Sequence, residues 1–283
     1  MEVLTDSKIK ELQIKANEIR ISIIEMLMEA GSGHTAGAMG LADIFTYLYF
    51  HGMKHNPKDP FWPDRDRFIL SNGHVCPVLY ASMAHSGYFP IEELKTLRKF
   101  GSRLQGHPHR EFMPWLETSS GPLGEGLSQV VGMAIADRID GKMGERFFYC
   151  SLGDGELNEG EIWEAMMLAG KEKLDNIISF VDRNYIQIDG NTEDIMPLEP
   201  LADKWKAFNW HVIEADGHDF KSLDEAFEEA KNTKGKPIVI IAKMIPGKGI
   251  KEIEGNYKWH GMPPNKEQGA RFLEELRILG ERL

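Results

Sequence analysis

Five short segments rich in β-branched and aromatic residues recur along the chain, and segments with helical periodicity separate them. They are RFILS at 67–71, RFFYCSL at 146–152, IISFVD at 177–182, WHVIEA at 210–215 and PIVIIAK at 237–243. Compact apolar runs of this length are typical of strands that are buried on both faces. The sequence therefore predicts an α/β fold with a mostly parallel central sheet and helices on both faces.

The helices are recognised by apolar residues at three- and four-residue steps. The first follows this pattern from Ile9 to Ala30 and is predicted to end at Gly31, because glycine commonly terminates helices. Further helices are predicted over 40–51, 74–86, 125–139, 158–172, 221–232 and 266–281. Two irregular stretches, 101–123 and 245–264, are functional or disordered by their length, and their histidine and glycine content favours function.

The composition narrows the classes of partner and compartment. A formal net charge of −11 argues against nucleic acid and anionic membranes, since both select for basic patches. An anionic ligand must then be held by backbone N–H groups, histidines, a metal ion or a helix N-terminus. The two cysteines, Cys76 and Cys150, indicate a reduced, cytoplasmic protein. No apolar run approaches the roughly 20 residues of a membrane span, and the N-terminus carries no signal core.

One short motif points to a metal ion. GDG at 153–155 follows a predicted strand, and the next predicted strand ends in DRN at 182–184. The spacing between Asp154 and Asn184 fits one right-handed crossover, so both segments emerge at the sheet edge where α/β folds bind ligands. A carboxylate and an amide oxygen there suit Mg2+ or Ca2+ that also holds a diphosphate. The alternative is a turn in which Asp154 caps the helix over 158–172.

Further motifs accompany this pair. They are SGHTAGAMG at 32–40, SNGHVCPVLYA at 71–81, GHP at 106–108, GPLGEGLSQVVGMAIA at 121–136 and WHG at 259–261. Together they make residues 10–264 resemble transketolase, a thiamine diphosphate enzyme. The resemblance covers the diphosphate-binding domain only. It implies a single domain with the thiamine-diphosphate-binding fold over 1–283, as in the N-terminal subunit of a split, two-subunit transketolase. The pyrimidine-binding and C-terminal domains are expected on a separate subunit.

The resemblance implies how the cofactor's diphosphate is held. The side chains of Asp154 and Asn184 and the backbone carbonyl of Ile186 would bind the metal ion, Mg2+ or Ca2+. The loop glycines Gly153 and Gly155 would present backbone N–H groups to the diphosphate, since glycine lets a phosphate approach the main chain closely.

The same resemblance implies how the rings of the cofactor are held. Leu123 and Ile188 would pack against the thiazolium ring, and the carbonyl of Gly121 would accept a hydrogen bond from the 4′-amino group. Ordinary core packing is the other interpretation of Ile188, as it is for any isoleucine.

Four histidines lie beside glycine in predicted loops. By resemblance, His74 and His260 would contact the diphosphate, while His34 and His107 would face the thiazolium carbon and the sugar oxygens. His34, His107 and His260 form the implied catalytic set. Histidine suits this chemistry because near neutral pH it can donate to phosphate, stabilise an oxyanion or move a proton. A zinc site is the alternative, but cysteine partners and an HxxxH helix pair are lacking.

The implied activity needs a second chain. In the family, a glutamate of the pyrimidine-binding domain faces the cofactor, so this chain is expected to act only with a partner subunit, in an α2β2 heterotetramer. The implied reaction moves a two-carbon ketol unit from a ketose phosphate to an aldose phosphate in the pentose phosphate pathway. The alternatives are another thiamine diphosphate enzyme, such as deoxyxylulose-phosphate synthase, and a non-catalytic regulatory protein that binds diphosphate.

Two residues near the expected substrate side depart from the family pattern. Thr35 stands where the family usually has proline, and Glu125 stands where it usually has glutamine. They are either neutral, or they indicate an acceptor other than the common pentose phosphates.

Overall fold

The computed structural model describes residues 4–283, so residues 1–3 of the predicted domain lie outside the described residues. Its strands are β1 Arg67–Leu70, β2 Phe148–Gly153, β3 Ile177–Arg183, β4 Ile186–Gln187, β5 Gly190–Asn191, β6 His211–Asp216 and β7 Ile238–Lys243. Five of them form one parallel sheet in the order β1-β2-β3-β7-β6, and β4 and β5 form a small antiparallel hairpin. The predicted parallel sheet and its strands are confirmed.

The side chains of the sheet alternate between two apolar cores. In β3, Ile178 and Phe180 join the core on one face, whereas Ile177 and Val181 join the core on the other. Successive residues of a strand point to opposite faces, so a strand that is covered on both sides must be apolar at nearly every position. This requirement explains the continuous apolar runs of the sequence.

Helices cover both faces, as predicted. They are α1 Asp6–Ala30, α2 Ala36–Gly40, α3 Ala42–Tyr47, α4 Cys76–His85, α5 Glu125–Ile139, α6 Gly160–Glu172, α7 Thr192–Ile195, α8 Leu201–Ala207, α9 Phe220–Asn232 and α10 Lys266–Arg282. Helices α1, α3, α4 and α9 pack into one core, and α5, α6 and α8 pack into the other. Helix α1 ends at Gly31 with φ of 63°, a left-handed conformation that favours glycine.

Two predicted helix boundaries are wrong. The helix predicted over 40–51 is divided into α2, α3 and a π-helical turn, Leu48–Gly52. The division between α2 and α3 lies where the loop after β7 approaches. The Gly247 N–H donates to the Ala36 carbonyl at 2.7 Å, and a Cβ on Gly40 would lie 3.0 Å from the Ile245 carbonyl oxygen. The helix predicted over 158–172 begins only at α6, after a 3-10 turn.

The parallel arrangement brings the loops after β1, β2, β3 and β7 to one edge of the sheet. Gly153 at the end of β2 is paired in register with Asp182 near the end of β3. The GDG and DRN segments therefore emerge side by side, as the crossover spacing predicted. Across residues 4–283, no helix combines the length and the apolar character needed to span a membrane.

Candidate active site

A cavity of about 390 Å³ opens at this edge of the sheet. The structure brings every site residue predicted from the sequence to its wall. These residues are His34, His74, His107, Gly121, Leu123, Gly153, Asp154, Gly155, Asn184, Ile186, Ile188 and His260. They come from loops far apart in the sequence, and the sheet topology gathers them in one place.

Asp154 lies buried at the base of the cavity, with both carboxylate oxygens hydrogen-bonded. Its Oδ1 accepts from the Gly155 N–H at 2.8 Å, and its Oδ2 accepts from the Tyr185 N–H at 2.7 Å and from the Arg183 Nη1 at 3.2 Å. Burial raises the pKa of Asp154 to about 6, while the donors from Tyr185 and Arg183 oppose the rise. The carboxylate is therefore ionised at neutral pH.

The alternative prediction, that Asp154 caps the helix over 158–172, is wrong. Asp154 caps the 3-10 turn Gly155–Asn158, and the N-cap residue of α6 is Glu159. The GDG segment thus forms a tight turn of its own, which holds the carboxylate at the end of β2 instead of at the start of α6.

Asn184 lies beside Asp154 in the turn that follows β3. Its Nδ2 donates to the Asp182 Oδ2 at 2.8 Å, and its Oδ1 accepts from the Ile186 N–H at 3.0 Å. Tyr185, between Asn184 and Ile186, has φ of 63°, which turns the chain sharply at this point. The cavity wall at this turn includes the carboxylate of Asp154 and the amide of Asn184, whose oxygens are of the type that suits a hard cation such as Mg2+.

Three of the four predicted histidines form a cluster. The ring centroids lie 4.9 Å apart for His34 and His74, 5.5 Å for His34 and His260, and 5.2 Å for His74 and His260. His107 lies against Gly121, with its ring 3.7 Å from the position of a Cβ there. Among residues 4–283, no group of three or more His, Cys, Asp or Glu side chains could hold a metal ion, and this includes the histidine cluster.

The histidines are held neutral. Burial, with repulsion from neighbouring histidines and Arg98, lowers the pKa of His34 to about 4. Burial also lowers the pKa of His74, His107 and His260. A neutral imidazole offers one donor and one acceptor nitrogen, so each ring can both donate and accept a hydrogen bond at neutral pH.

This burial predicts a pH effect on stability. Between pH 6.5 and about 4 the unfolded chain protonates His34 while the folded chain does not, so the residue lowers the free energy of unfolding as the pH falls. We expect the free energy of unfolding of His34→Gln, relative to that of the wild type, to be higher at pH 5 than at pH 7.5. Urea unfolding of both proteins at the two pH values measures this change. A difference between the two proteins that does not change with pH would contradict the assignment.

Sequence reasoning missed several residues that line the same cavity. They are Gly37, Asn72, Glu156, Asn158, Asp182 and Gln187. Three of them carry buried atoms that lack a hydrogen-bond partner among the described residues: Asn72 Nδ2, Asp182 Oδ1 and Gln187 Nε2. The Nδ1 atoms of His34 and His260 share this property. Buried polar atoms are normally satisfied, so this set indicates a polar ligand.

Glu156 organises the loops around the cavity. Its Oε1 accepts from the Ser71 hydroxyl and from the Gly124 N–H at 2.8 Å, and its Oε2 accepts from the Gly153 N–H at 2.9 Å. The residue is 2% exposed. It therefore ties the loops after β1 and β2 to the start of α5. Its position directly after GDG marks it in the sequence but does not reveal these partners.

Replacing Glu156 by glutamine tests this role. The amide turns one acceptor into a donor that faces a backbone N–H or the Ser71 hydroxyl, so a buried group loses its partner. We expect the free energy of unfolding to fall by about 2–3 kcal/mol, the scale of an unsatisfied buried group. Urea unfolding measures the loss, and Glu161→Gln on the exposed surface of α6 is the control. Equal stability of the two variants would contradict the role.

The two departures from the family pattern lie outside the cavity wall. Thr35 is fully buried, and its hydroxyl donates to the Met262 carbonyl at 2.5 Å. This bond joins the loop of His34 to the loop of His260. Glu125 is exposed at the start of α5. Since neither side chain lines the cavity, their direct contact with a substrate has no support in the structure.

The fold and the cavity define a thiamine diphosphate-binding domain. The family model described as transketolase, thiamine diphosphate binding domain, matches residues 11–277. The chain belongs to this family, and the resemblance inferred from its motifs is confirmed.

Named relatives agree with this result. The 6-deoxy-6-sulfo-D-fructose transketolase subunit SqwG of Clostridium sp. (strain MSTE9) is 44% identical over 270 residues, which cover 95% of this chain and 98% of that subunit. An apulose-4-phosphate transketolase subunit of Phocaeicola vulgatus is 37% identical over 276 residues, which cover 98% and 96%. The solved transketolase from Leishmania mexicana matches with a TM-score of 0.86 at 35% identity, over 97% of this chain and 44% of that one.

Proposed function

We propose that this chain is the diphosphate-binding subunit of a thiamine-diphosphate- and metal-dependent transketolase that moves a two-carbon ketol unit from a ketose to an aldose. The observation that carries the proposal is the single cavity that gathers the oxygen donors, the loop glycines and the neutral histidines. The relatives that match this chain over nearly their whole length bear names of transketolase subunits.

The residues fit a metal ion and a diphosphate. Asp154, Asn184 and the carbonyl of Ile186 would hold Mg2+, which typically takes one or two protein carboxylates and leaves positions for phosphate oxygens. The unpaired donors Asn72 Nδ2 and Gln187 Nε2 lie buried in the same wall. These two side chains would donate hydrogen bonds to the diphosphate, whereas the N–H groups of Gly153 and Gly155 already donate to Glu156 Oε2 and Asp154 Oδ1 in this structure.

The bound cofactor would supply the nucleophilic carbon that attacks a ketose carbonyl and carries the two-carbon unit. Leu123 and Ile188 would hold its thiazolium ring, and the Gly121 carbonyl would orient its 4′-amino group. Leu123 and Ile188 are 37% and 66% exposed in this chain alone. This exposure supports a site that is covered only when cofactor and partner are both in place, since large apolar side chains at a cavity mouth mark binding surfaces.

The histidines would bind the sugar and the diphosphate. His74 and His260 would donate to the diphosphate, while His34 and His107 would hydrogen-bond the hydroxyl and carbonyl oxygens of the substrate. Their lowered pKa values keep them neutral at pH 7, so each ring has one nitrogen that can donate a hydrogen bond and one that can accept a hydrogen bond from a hydroxyl.

We further propose that a partner subunit completes the site. The partner would supply the pyrimidine-binding domain with its glutamate, and two copies of each chain would form an α2β2 heterotetramer. The chain spans less than half the length of the Leishmania transketolase, whereas it covers nearly all of the two relatives that are named as subunits. The two free, buried thiols, Cys76 and Cys150, are consistent with a cytoplasmic enzyme.

The names of the relatives support a proposal for the substrate class. One is named for a sulfo sugar and another for a sugar phosphate. We propose that this chain acts on ketoses and aldoses that carry a terminal anionic group, phosphate or sulfonate. Membership of the pentose phosphate pathway is the narrower hypothesis within that class.

Co-purification from the native cell followed by a ketol-transfer assay tests the proposal. The chain, its recovered partner and their mixture are each supplied with thiamine diphosphate, Mg2+, and phosphorylated or sulfonated donors. We expect turnover in the mixture only. Turnover by this chain alone would contradict the need for a partner, and an inactive mixture that nevertheless binds the cofactor would contradict the transferase assignment.

A further inference from the structure

Arg183 is a buried cation next to the proposed metal site. It is the last residue of β3 and lies between Asp182 and Asn184 in sequence. The residue is 2% exposed, although burying a charge is costly unless the charge is paired. Its role is not explained by cofactor contact, because Arg183 does not line the cavity described above.

The guanidinium is held from two sides. Its Nη1 donates to the Asp154 Oδ2 at 3.2 Å and to the Thr192 Oγ1 at 3.0 Å. Its Nη2 donates to the Glu193 Oε1 at 2.6 Å and to the Glu199 Oε1 at 2.8 Å. One planar group therefore connects the proposed metal-binding carboxylate to the segment 192–199, which follows the β4–β5 hairpin.

The two glutamates are themselves anchored by backbone N–H groups within and just after that segment. The Leu198 N–H donates to the Glu193 Oε1 at 3.2 Å, and the Leu201 N–H donates to the Glu199 Oε2 at 2.8 Å. The ring centroid of Tyr185 lies 3.9 Å from the guanidinium carbon, so the ring covers the guanidinium. These contacts fix the guanidinium in one orientation relative to Asp154.

In this orientation the two carboxylate oxygens of Asp154 accept different numbers of hydrogen bonds. Oδ2 receives two donors, from Arg183 and from the Tyr185 N–H, whereas Oδ1 receives one, from the Gly155 N–H. A carboxylate oxygen accepts about two hydrogen bonds, so Oδ1 keeps capacity for a cation while Oδ2 is occupied.

We propose that Arg183 is a positioning residue that locks Asp154 by its Oδ2, and that it couples metal affinity to the segment 192–199. The inference rests on the metal site of the proposed function. Residues that orient a metal ligand without touching the metal typically change metal affinity by roughly 10–100-fold.

The net charge of the groups around Arg183 determines whether this residue strengthens or weakens the binding of a cation. Taken alone, a guanidinium near a divalent ion repels it. Here one guanidinium faces three carboxylates, those of Asp154, Glu193 and Glu199. The cluster is net negative because the two glutamates offset the arginine charge, and the repulsion of a cation by Arg183 is reduced accordingly.

The test measures thiamine diphosphate binding by calorimetry at a series of MgCl2 concentrations, in the complex with the partner subunit. We expect Arg183→Met to need about 10–100-fold more Mg2+ for half-maximal binding, with Arg183→Lys in between. We expect the double variant Glu193→Gln, Glu199→Gln to shift the same midpoint in the same direction, because it frees the guanidinium. This double variant tests the same inference if Arg183→Met does not fold.

The control is Arg138→Met, which removes an arginine paired with Glu172 on the surface. It should leave the Mg2+ midpoint unchanged, since a general loss of stability does not move a metal midpoint. A midpoint that stays or falls in both the Arg183 and the glutamate variants overturns the inference. A wild-type complex that binds the cofactor without metal would instead overturn the metal site of the proposed function, and this inference with it.

Discussion

An Asp154→Ala variant is expected to lose Mg2+-dependent binding of thiamine diphosphate, and ketol transfer with it. Asp154 is the one carboxylate of the proposed metal site, and it is held at the cavity base by three hydrogen bonds. Loss of an outer-shell residue costs roughly 10–100-fold in metal affinity, and loss of a direct ligand is expected to cost more. Calorimetric titration of the complex with cofactor and Mg2+ measures the change.

The matched control for this variant is Asp216→Ala. Asp216 also ends a parallel strand at the same sheet edge, but it does not line the cavity. The control should bind the cofactor with wild-type metal dependence. If Asp154→Ala binds thiamine diphosphate with the same Mg2+ midpoint as the control, the metal assignment is wrong.

The second large effect is expected for His107→Ala. We expect kcat/KM of the complex to fall by about 10²–10⁴-fold, the usual contribution of a positioned acid or base, while thiamine diphosphate still binds. The physical reason is that His107 would act on the sugar and not on the diphosphate. His107 lies against Gly121 in the cavity wall and stands apart from the cluster of the other three histidines.

The control for that variant is His211→Ala, which removes a histidine paired with Glu229 outside the cavity. Steady-state kinetics and cofactor titration are run on both variants. Full turnover of the His107 variant with bound cofactor would remove His107 from the substrate side. A parallel loss of cofactor binding would place it at the cofactor instead.

The strands and the sheet edge were predictable because they depend on periodicity and on chirality. The apolar runs around Ile178 and Ile240 mark strands buried on both faces, and the handedness of crossovers then fixes which loops meet. The meeting of Asp154 and Asn184 followed from that rule alone. The precise helix limits near Gly40 were not predictable, because they depend on a contact with the distant loop at Ile245.

The network behind the cavity was also beyond the sequence. From the local sequence, Glu156 is only an acidic residue after a glycine turn. Arg183 is only a basic residue at the end of a strand. Their partners lie in other loops, such as Ser71 and Gly124 for Glu156. Long-range hydrogen bonds of this kind have no periodic signature, so only the folded arrangement identifies the two residues as supports of the site.

Locating a bound metal ion in the complex is the decisive experiment for the proposed metal site. Crystals of the complex with thiamine diphosphate are grown with Mn2+ in place of Mg2+, and anomalous differences locate the ion. We predict a peak coordinated by Asp154, Asn184 and the carbonyl of Ile186, with the cofactor's diphosphate completing its coordination. A peak at the histidine cluster, or a cofactor bound in the cavity with no metal at this turn, would contradict the proposed metal site.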